Sequence, residues 1–177
     1  MNMKKLDLSI LEDGRSTGLS VRYGGFLAEG ASVCLDYHAH PQEVLLRVEG
    51  VIAESFLLSR LIVTDLSRNS FADLQEALEY GAMGIAVILI NTQTGYQVER
   101  SYKGTGFDFW VGEKKDDYPF ENKLRVEVSG DMQGTDAELR NRLEKKLKQT
   151  TKSADTGLPA YAVIVEFSNP KTLTGSI

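Results

Sequence analysis

The apolar residues of this chain change their pattern near residue 70. Before it, they come in short, partly alternating runs: Leu6 to Leu11, Leu19 to Leu27, Ser32 to Tyr37 and Val44 to Val48. Asp13-Gly14, Gly24-Gly25 and Glu29-Gly30 punctuate those runs. Alternation reads as half-buried strand and glycine pairs read as turns, so residues 1–66 are expected to be mostly β. The stretch "VIAESFLLSRLIVTDL" over 51–66 fits either a helix or a strand, with strand favoured from Leu58 onward.

After residue 70 the signals sharpen. Ser70 with Asp73 three residues later has capping-box spacing, and Phe71, Leu74, Leu78 and Ala82 follow at helical intervals. This predicts a helix over about 71–82, ended by Gly81 and Gly84. "GIAVILI" at 84–90 predicts a buried strand, "NTQTG" a turn, and 96–102, 106–112 and 123–129 three further strands. Thr135 and Glu138 repeat the capping-box spacing, and Leu139, Leu143 and Leu147 mark one face of a helix over about 136–150. A polar loop leads to "AYAVIVEF", a buried strand at 160–167, and the chain after Asn169 looks loose. The expected fold class is α/β (α+β), with a central mixed sheet flanked by two helices. The expected organisation is a mostly β part over 1–66, an α/β core over 67–170 and a tail over 171–177.

Composition narrows the function classes. The 177 residues are 42% hydrophobic and 25% charged, enough to bury a core without disulfide or metal staples. The longest apolar run is too short to cross a bilayer, and no membrane partner is expected. Met1 to Leu11 lacks the apolar segment of a signal peptide, and one cysteine gives no disulfide framework, so the chain is expected to be cytoplasmic. A net charge of −5 argues against a whole-surface nucleic-acid binder but leaves room for a local basic patch.

Two strands carry the first candidate chemistry. Side chains alternate along a strand, so Phe107, Phe109 and Val111 share one face and Asp108 takes the other. Leu124, Val126 and Val128 likewise share a face, with Lys123, Arg125, Glu127 and Ser129 opposite. If these strands are neighbours with apolar faces together, Asp108 and Glu127 approach each other. Two close carboxylates repel unless a cation lies between them, and Mg²⁺ suits such oxygen ligation. Two solvated strand residues paired with basic neighbours are the plainer alternative. Glu76 and Glu79 lie on the preceding helix, with Glu79 near its expected C-terminal end, and also fit an ordinary charged face.

Residues 136–152 carry six basic and three acidic side chains. Arg140, Lys145 and Lys148 could hold phosphate there, and Gln149 could add a neutral donor; a solvated amphipathic helix explains the same charges. Cys34, Asp36, His38 and His40 would share a strand face and could hold a transition metal, although Pro41 ends that strand early and no fourth ligand is evident. No Gly-x-Ser-x-Gly elbow, Walker loop or His-Glu-x-x-His is present. Trp110, beside Asp108, reads as core rather than as a base-stacking platform.

The run from 70 to 167 resembles the core of the PD-(D/E)xK, restriction-endonuclease-like, nuclease superfamily. Glu79 in "LQEALEYGA", Asp108 in "GTGFDFW" and Glu127 in "RVEVSG" look like the helix glutamate, the strand aspartate and the acid of the acid-x-lysine pair. The resemblance implies a core of helix, three antiparallel strands, helix and strand. It implies Mg²⁺ or Mn²⁺ held by Glu79, Asp108 and Glu127, with Asp108 and Glu127 as catalytic residues in phosphodiester hydrolysis of DNA or RNA. Two departures stand out. Ser129 occupies the lysine position, with Lys103, Lys114, Lys123 or Lys148 as possible replacements. Four strands, not three, are also expected between the helices. "GTGFDFW", "RVEVSG" and "AYAVIVEFS" are similar to segments of small bacterial proteins of unassigned function as well. The alternative to a nuclease is a binding or accessory module without catalysis, of a bacterial defence or mobile-element system, acting through a protein partner or as a homo-oligomer.

Overall fold

The computed structural model describes residues 3–113 and 124–177. Strand β1 (Lys4–Asp7) runs into a 3-10 segment (Leu8–Glu12) and helix α1 (Val21–Tyr37). The hairpin β2 (Glu43–Gly50) and β3 (Glu54–Ser59) follows, then the short helix α2 (Asp65–Ser70) and the long helix α3 (Leu74–Thr94). Strands β4 (Gln97–Arg100), β5 (Phe109–Gly112) and β6 (Leu124–Asp131) lead to helix α4 (Asp136–Thr150). A second 3-10 segment (Thr151–Thr156), β7 (Ala160–Glu166) and β8 (Lys171–Ser176) complete the described chain.

The strands form one eight-stranded mixed sheet in the order β1-β3-β2-β8-β7-β6-β5-β4, so an α/β architecture with a central sheet is established. The sheet faces differ in character. Val126 and Val128 of β6 join the main apolar core with α1 and α3 on one side. On the other side the intervening residues of β6 meet α4, whose Leu139 packs with Ile164 and Leu173 in a small separate cluster.

The N-terminal part is not mostly β. The expected strands at Leu19–Leu27 and Ser32–Tyr37 belong to α1, whose start is capped by the Ser20 side chain accepting from the Tyr23 N–H at 3.2 Å. The run "GIAVILI", expected as a strand, is the second half of α3. Both misreadings have one cause. Glycines that locally resemble helix breakers are the contact points where α1 and α3 cross. A Cβ on Gly81 would stand 2.7 Å from the Ala31 backbone, and one on Gly30 would stand 3.2 Å from the Ala77 carbonyl. The second half of α3, residues 81–90, is buried on every side and apolar all round, which removes the helical period from that part of its sequence.

Three strands therefore lie between α3 and α4 among the described residues, not four. Ser70 ends α2 instead of capping α3; Asp73 is the cap, accepting from the Gln75 N–H at 2.9 Å. The strand expected from Leu58 onward starts earlier, at Glu54, and stops at Ser59. The expected tail at 171–177 is largely β8, an interior strand between β2 and β7 with Thr172 and Thr174 buried. Its alternating threonines are β-branched and suit a strand, but their hydroxyls made the segment look solvent-facing. One sheet thus runs through residues assigned in sequence to the N-terminal part, the core and the tail.

Strands β4, β5, β6 and β7 fall within the expected segments or within two residues of them, as does α4 with its Thr135–Glu138 capping box. Phe107, Phe109, Val111, Val126 and Val128 are buried, and Leu124 is half-buried. Among the described residues no helix is long and apolar enough to cross a membrane.

Gly81→Ala tests the helix crossing. Alanine favours a helix over glycine by about 1 kcal/mol, so an unconstrained site would gain stability. Overpacking against Ala31 should instead cost roughly 1–3 kcal/mol, read as a lower urea midpoint. An unchanged or higher midpoint would contradict the close contact.

Candidate functional site

The site grows out of the β5–β6 register. Phe109, the first residue of β5, stands opposite Val126 in antiparallel pairing, and Asp108 just before it lies close enough to Glu127 for its charge to act on that carboxyl. The Asp108 N–H donates to the Val126 carbonyl at 2.8 Å. Beyond that bond the ladder ends, and the Asp108 side chain replaces it: Oδ2 accepts from the Val128 N–H at 2.8 Å. The aspartate is thereby fixed to the strand that carries its partner.

Glu127 is 3% exposed. Its Oε1 accepts from Lys146 Nζ at 2.5 Å and from Gln149 Nε2 at 2.9 Å. These contacts are the middle of a polar ladder between β6 and α4. At one end, Arg125 donates to the Thr150 carbonyl at 2.8 Å and to Ser153 Oγ at 2.6 Å. At the other, Arg142 donates to Ser129 Oγ at 3.3 Å and to Asp131 Oδ2 at 2.9 Å. Residues 142, 146 and 149 follow the i, i+4, i+7 spacing of one helix face, so α4 presents them together. Asp108 has a cation of its own: Arg100 donates to its carbonyl at 2.8 Å and to Oδ1 at 3.2 Å.

Burial and then the adjacent Asp108 charge push the Glu127 carboxyl up to about 7, against the opposing pull of Lys146. Both causes disfavour a second negative charge at this point. A cleft of about 410 Å³ opens over the pair. Glu79, Asp108 and Glu127 line it together with the basic residues Arg100, Lys103, Arg142 and Lys146.

The sequence-derived candidates separate on this geometry. Asp108 and Glu127 come together. Glu79 reaches the cleft wall, but from the second turn of a 21-residue helix and not from near its C-terminal end as expected. Among the described residues no three His, Cys, Asp or Glu side chains gather as a metal site, so Glu79 does not complete a triad with the other two. Gln149 lines the cleft, whereas Arg140, Lys145 and Lys148 are exposed and do not. Lys103 lines it too; Lys114 and Lys123 fall outside the described residues. Sequence reasoning missed Lys146 and Arg100. Lys146 borders the Leu139-Leu143-Leu147 stripe, and that position was the available signal for a lysine turned partly inward. Arg100 gave no such signal.

The Cys34 group does not assemble. These residues sit on and after α1 rather than on a strand. Cys34 is buried, which pushes its thiol up to about 12, and Asp36 pairs with Arg60 and Arg68. His40 Nε2 lies 2.8 Å from the Phe167 carbonyl oxygen. Trp110 is core, edge-on to Phe107 with ring centroids 4.6 Å apart.

Comparisons of the chain with family models, with curated proteins and with solved structures give no match.

The raised Glu127 carboxyl gives a pH test. A group whose folded pKa lies above its ordinary value stabilises the fold at low pH and loses that contribution as pH rises through the folded value. Between about pH 4.5 and 7 the wild type should therefore lose on the order of 2–3 kcal/mol relative to Glu127→Gln. Denaturant titrations of both proteins across this range measure the difference; parallel pH profiles would contradict the buried, charge-crowded glutamate.

Proposed function

We propose that the protein is a divergent metal-dependent nuclease, hydrolysing phosphodiester bonds of DNA or RNA with Mg²⁺ or Mn²⁺ at Asp108 and Glu127. The observation that carries the reading is this cross-strand carboxylate pair at the base of a cation-lined cleft, with the Lys146 ammonium seated on Glu127. The order α3, β4, β5, β6, α4, β7 supports it, because it has the helix, three strands, helix and strand of the nuclease core that the sequence resembles.

The residues fit a hard divalent cation. The pair offers oxygen donors only, and Mg²⁺ is commonly held by one or two carboxylates with water and substrate phosphate completing its shell. The crowding that raises the Glu127 pKa is the repulsion a shared cation would relieve. When bound, such an ion lowers the pKa of a coordinated water and offsets charge on the phosphate. The chain supplies the remaining functions. Val128 N–H and Arg100 hold Asp108 in position, and Gln149 orients Glu127. Lys146 carries the positive charge that Ser129 lacks, reaching the acid from the helix instead of the strand. Arg142 and Lys103 on the cleft wall are the phosphate contacts of this proposal. We include a cytoplasmic setting in it, in keeping with a single, buried cysteine.

One observation favours a second reading, a binding module without catalysis. Each carboxylate already has an internal cation, Arg100 for Asp108 and Lys146 for Glu127. A site balanced in this way could serve recognition alone.

Metal-linked stability separates the two. Millimolar Mg²⁺ or Mn²⁺ should raise the Tm of the nuclease, more at pH 8 than at pH 6 because Glu127 must lose its proton to bind. Asp108→Asn and Glu127→Gln should each abolish the shift. Cleavage of a mixed DNA and RNA substrate set should vanish in both variants, fall at least tenfold in Lys146→Met, and survive Ser129→Ala. No metal-dependent shift and no cleavage by the wild type would leave the binding module as the reading.

A further inference from the structure

The hairpin turn between β4 and β5 forms one rim of the cleft and carries an exposed aromatic side chain. Tyr102 is 76% exposed, although Phe107, the other aromatic wall residue among the described residues, is buried. The turn around it is cross-linked. Ser101 Oγ and Thr105 Oγ1 lie 2.9 Å apart, Thr105 Oγ1 donates to the Tyr102 carbonyl at 2.9 Å, and the Ser101 N–H donates to the Asp108 carbonyl at 2.9 Å. Gly106, at φ +84°, rests against the end of α4, where a Cβ would come within 2.7 Å of the Gln149 carbonyl. The tyrosine ring is thus held out from a turn tied both to Asp108 and to the helix that supplies Lys146 and Gln149. Lys103 follows it in the chain, and Arg142, which also lines the cleft, is held by Ser129 and Asp131 on β6.

A flat, solvent-facing ring next to basic side chains suits a nucleobase with its phosphate. Every base has a π-face, so stacking on an aromatic residue binds unpaired strands with little regard to sequence. In a duplex those faces are covered by neighbouring base pairs. The cleft volume of about 410 Å³ is in the range that takes a ligand of nucleotide size. We propose that Tyr102 is a base-stacking platform and that the cleft takes single-stranded nucleic acid, one base on Tyr102 and the adjoining phosphate toward Lys103 and Arg142. This rests on reading the cleft as a phosphodiester site, but it does not require the site to be catalytic.

The test is fluorescence anisotropy with the full chain in EDTA, so that metal-dependent cutting does not occur. The probes are a labelled 15-nucleotide DNA strand, the matching RNA strand, the blunt DNA duplex and an abasic strand carrying the same phosphates. The wild type should bind both base-bearing single strands at least tenfold more tightly than the duplex or the abasic strand. Tyr102→Ala should cost about tenfold on the single strands and leave duplex affinity unchanged, and Tyr102→Phe should keep the preference. Equal affinity for the base-bearing and abasic strands, or no loss in Tyr102→Ala, overturns the platform. That failure with Mg²⁺-induced stabilisation intact rejects the platform and spares the metal site. Single-strand preference without Mg²⁺-induced stabilisation rejects the nuclease and keeps the platform.

Discussion

The burial of the Glu127 carboxylate between β6 and α4 is the constraint around which this side of the molecule is organised. Removing an ionised carboxylate from water costs several kcal/mol unless it is paired and hydrogen-bonded. Asp108 as cross-strand neighbour adds to that cost. Lys146 and Gln149 offset it, and they can do so only if α4 crosses β6 in one register. The Arg125 and Arg142 contacts on either side hold the same register. The apolar contribution here is small, a cluster of Leu139, Ile164 and Leu173 with Leu143 packed against it. Hydrophobic contact tolerates sliding, whereas charge-assisted hydrogen bonds to buried partners do not. The placement of the helix and the geometry of the site are therefore one problem with one solution.

The opposite face of the sheet is built on different physics. There α1 and α3 pack through glycine and alanine, and the core is apolar from Leu6 to Phe167. This dry layer supports the polar one: Val126 and Val128 anchor β6 from below while Glu127, on the alternate face, points up into the cleft. A strand whose successive residues belong to a hydrophobic core and to a charged site cannot shift by one position without inverting both. The carboxylate pair is thus secured by the core as much as by its own hydrogen bonds.

The charge distribution makes the proposed anionic ligand compatible with an acidic chain. The net charge is −5, yet among the described residues four basic side chains share the cleft with three carboxylates. In the proposed nuclease, the buried acid pair and nearby cations would exchange internal ion pairs for contacts to a metal and a phosphate. The same internal pairs keep the polar groups satisfied without either ligand. Both functional readings follow from this arrangement, and they differ in whether the exchange takes place.

Local pattern determined the strands at 97–100, 109–112, 124–131 and 160–166, the helix at 136–150 and the closeness of Asp108 to Glu127. It could do so because strand alternation and capping boxes are short-range effects, written within a few neighbouring residues. Tertiary structure alone decided that Gly30 and Gly81 are helix contacts and not breaks, and that "GIAVILI" is helix. The reason is that a glycine's role depends on what approaches it, and a segment enclosed on all sides loses its period. Tertiary structure likewise made the polar "KTLTGS" an interior strand: its hairpin with β7 is local, but its other edge is covered by β2, from far earlier in the chain. It also chose Lys146 among the lysines. Every lysine in the segment carries the same charge in sequence, but only the one on the helix face turned toward β6 lies against the buried acid.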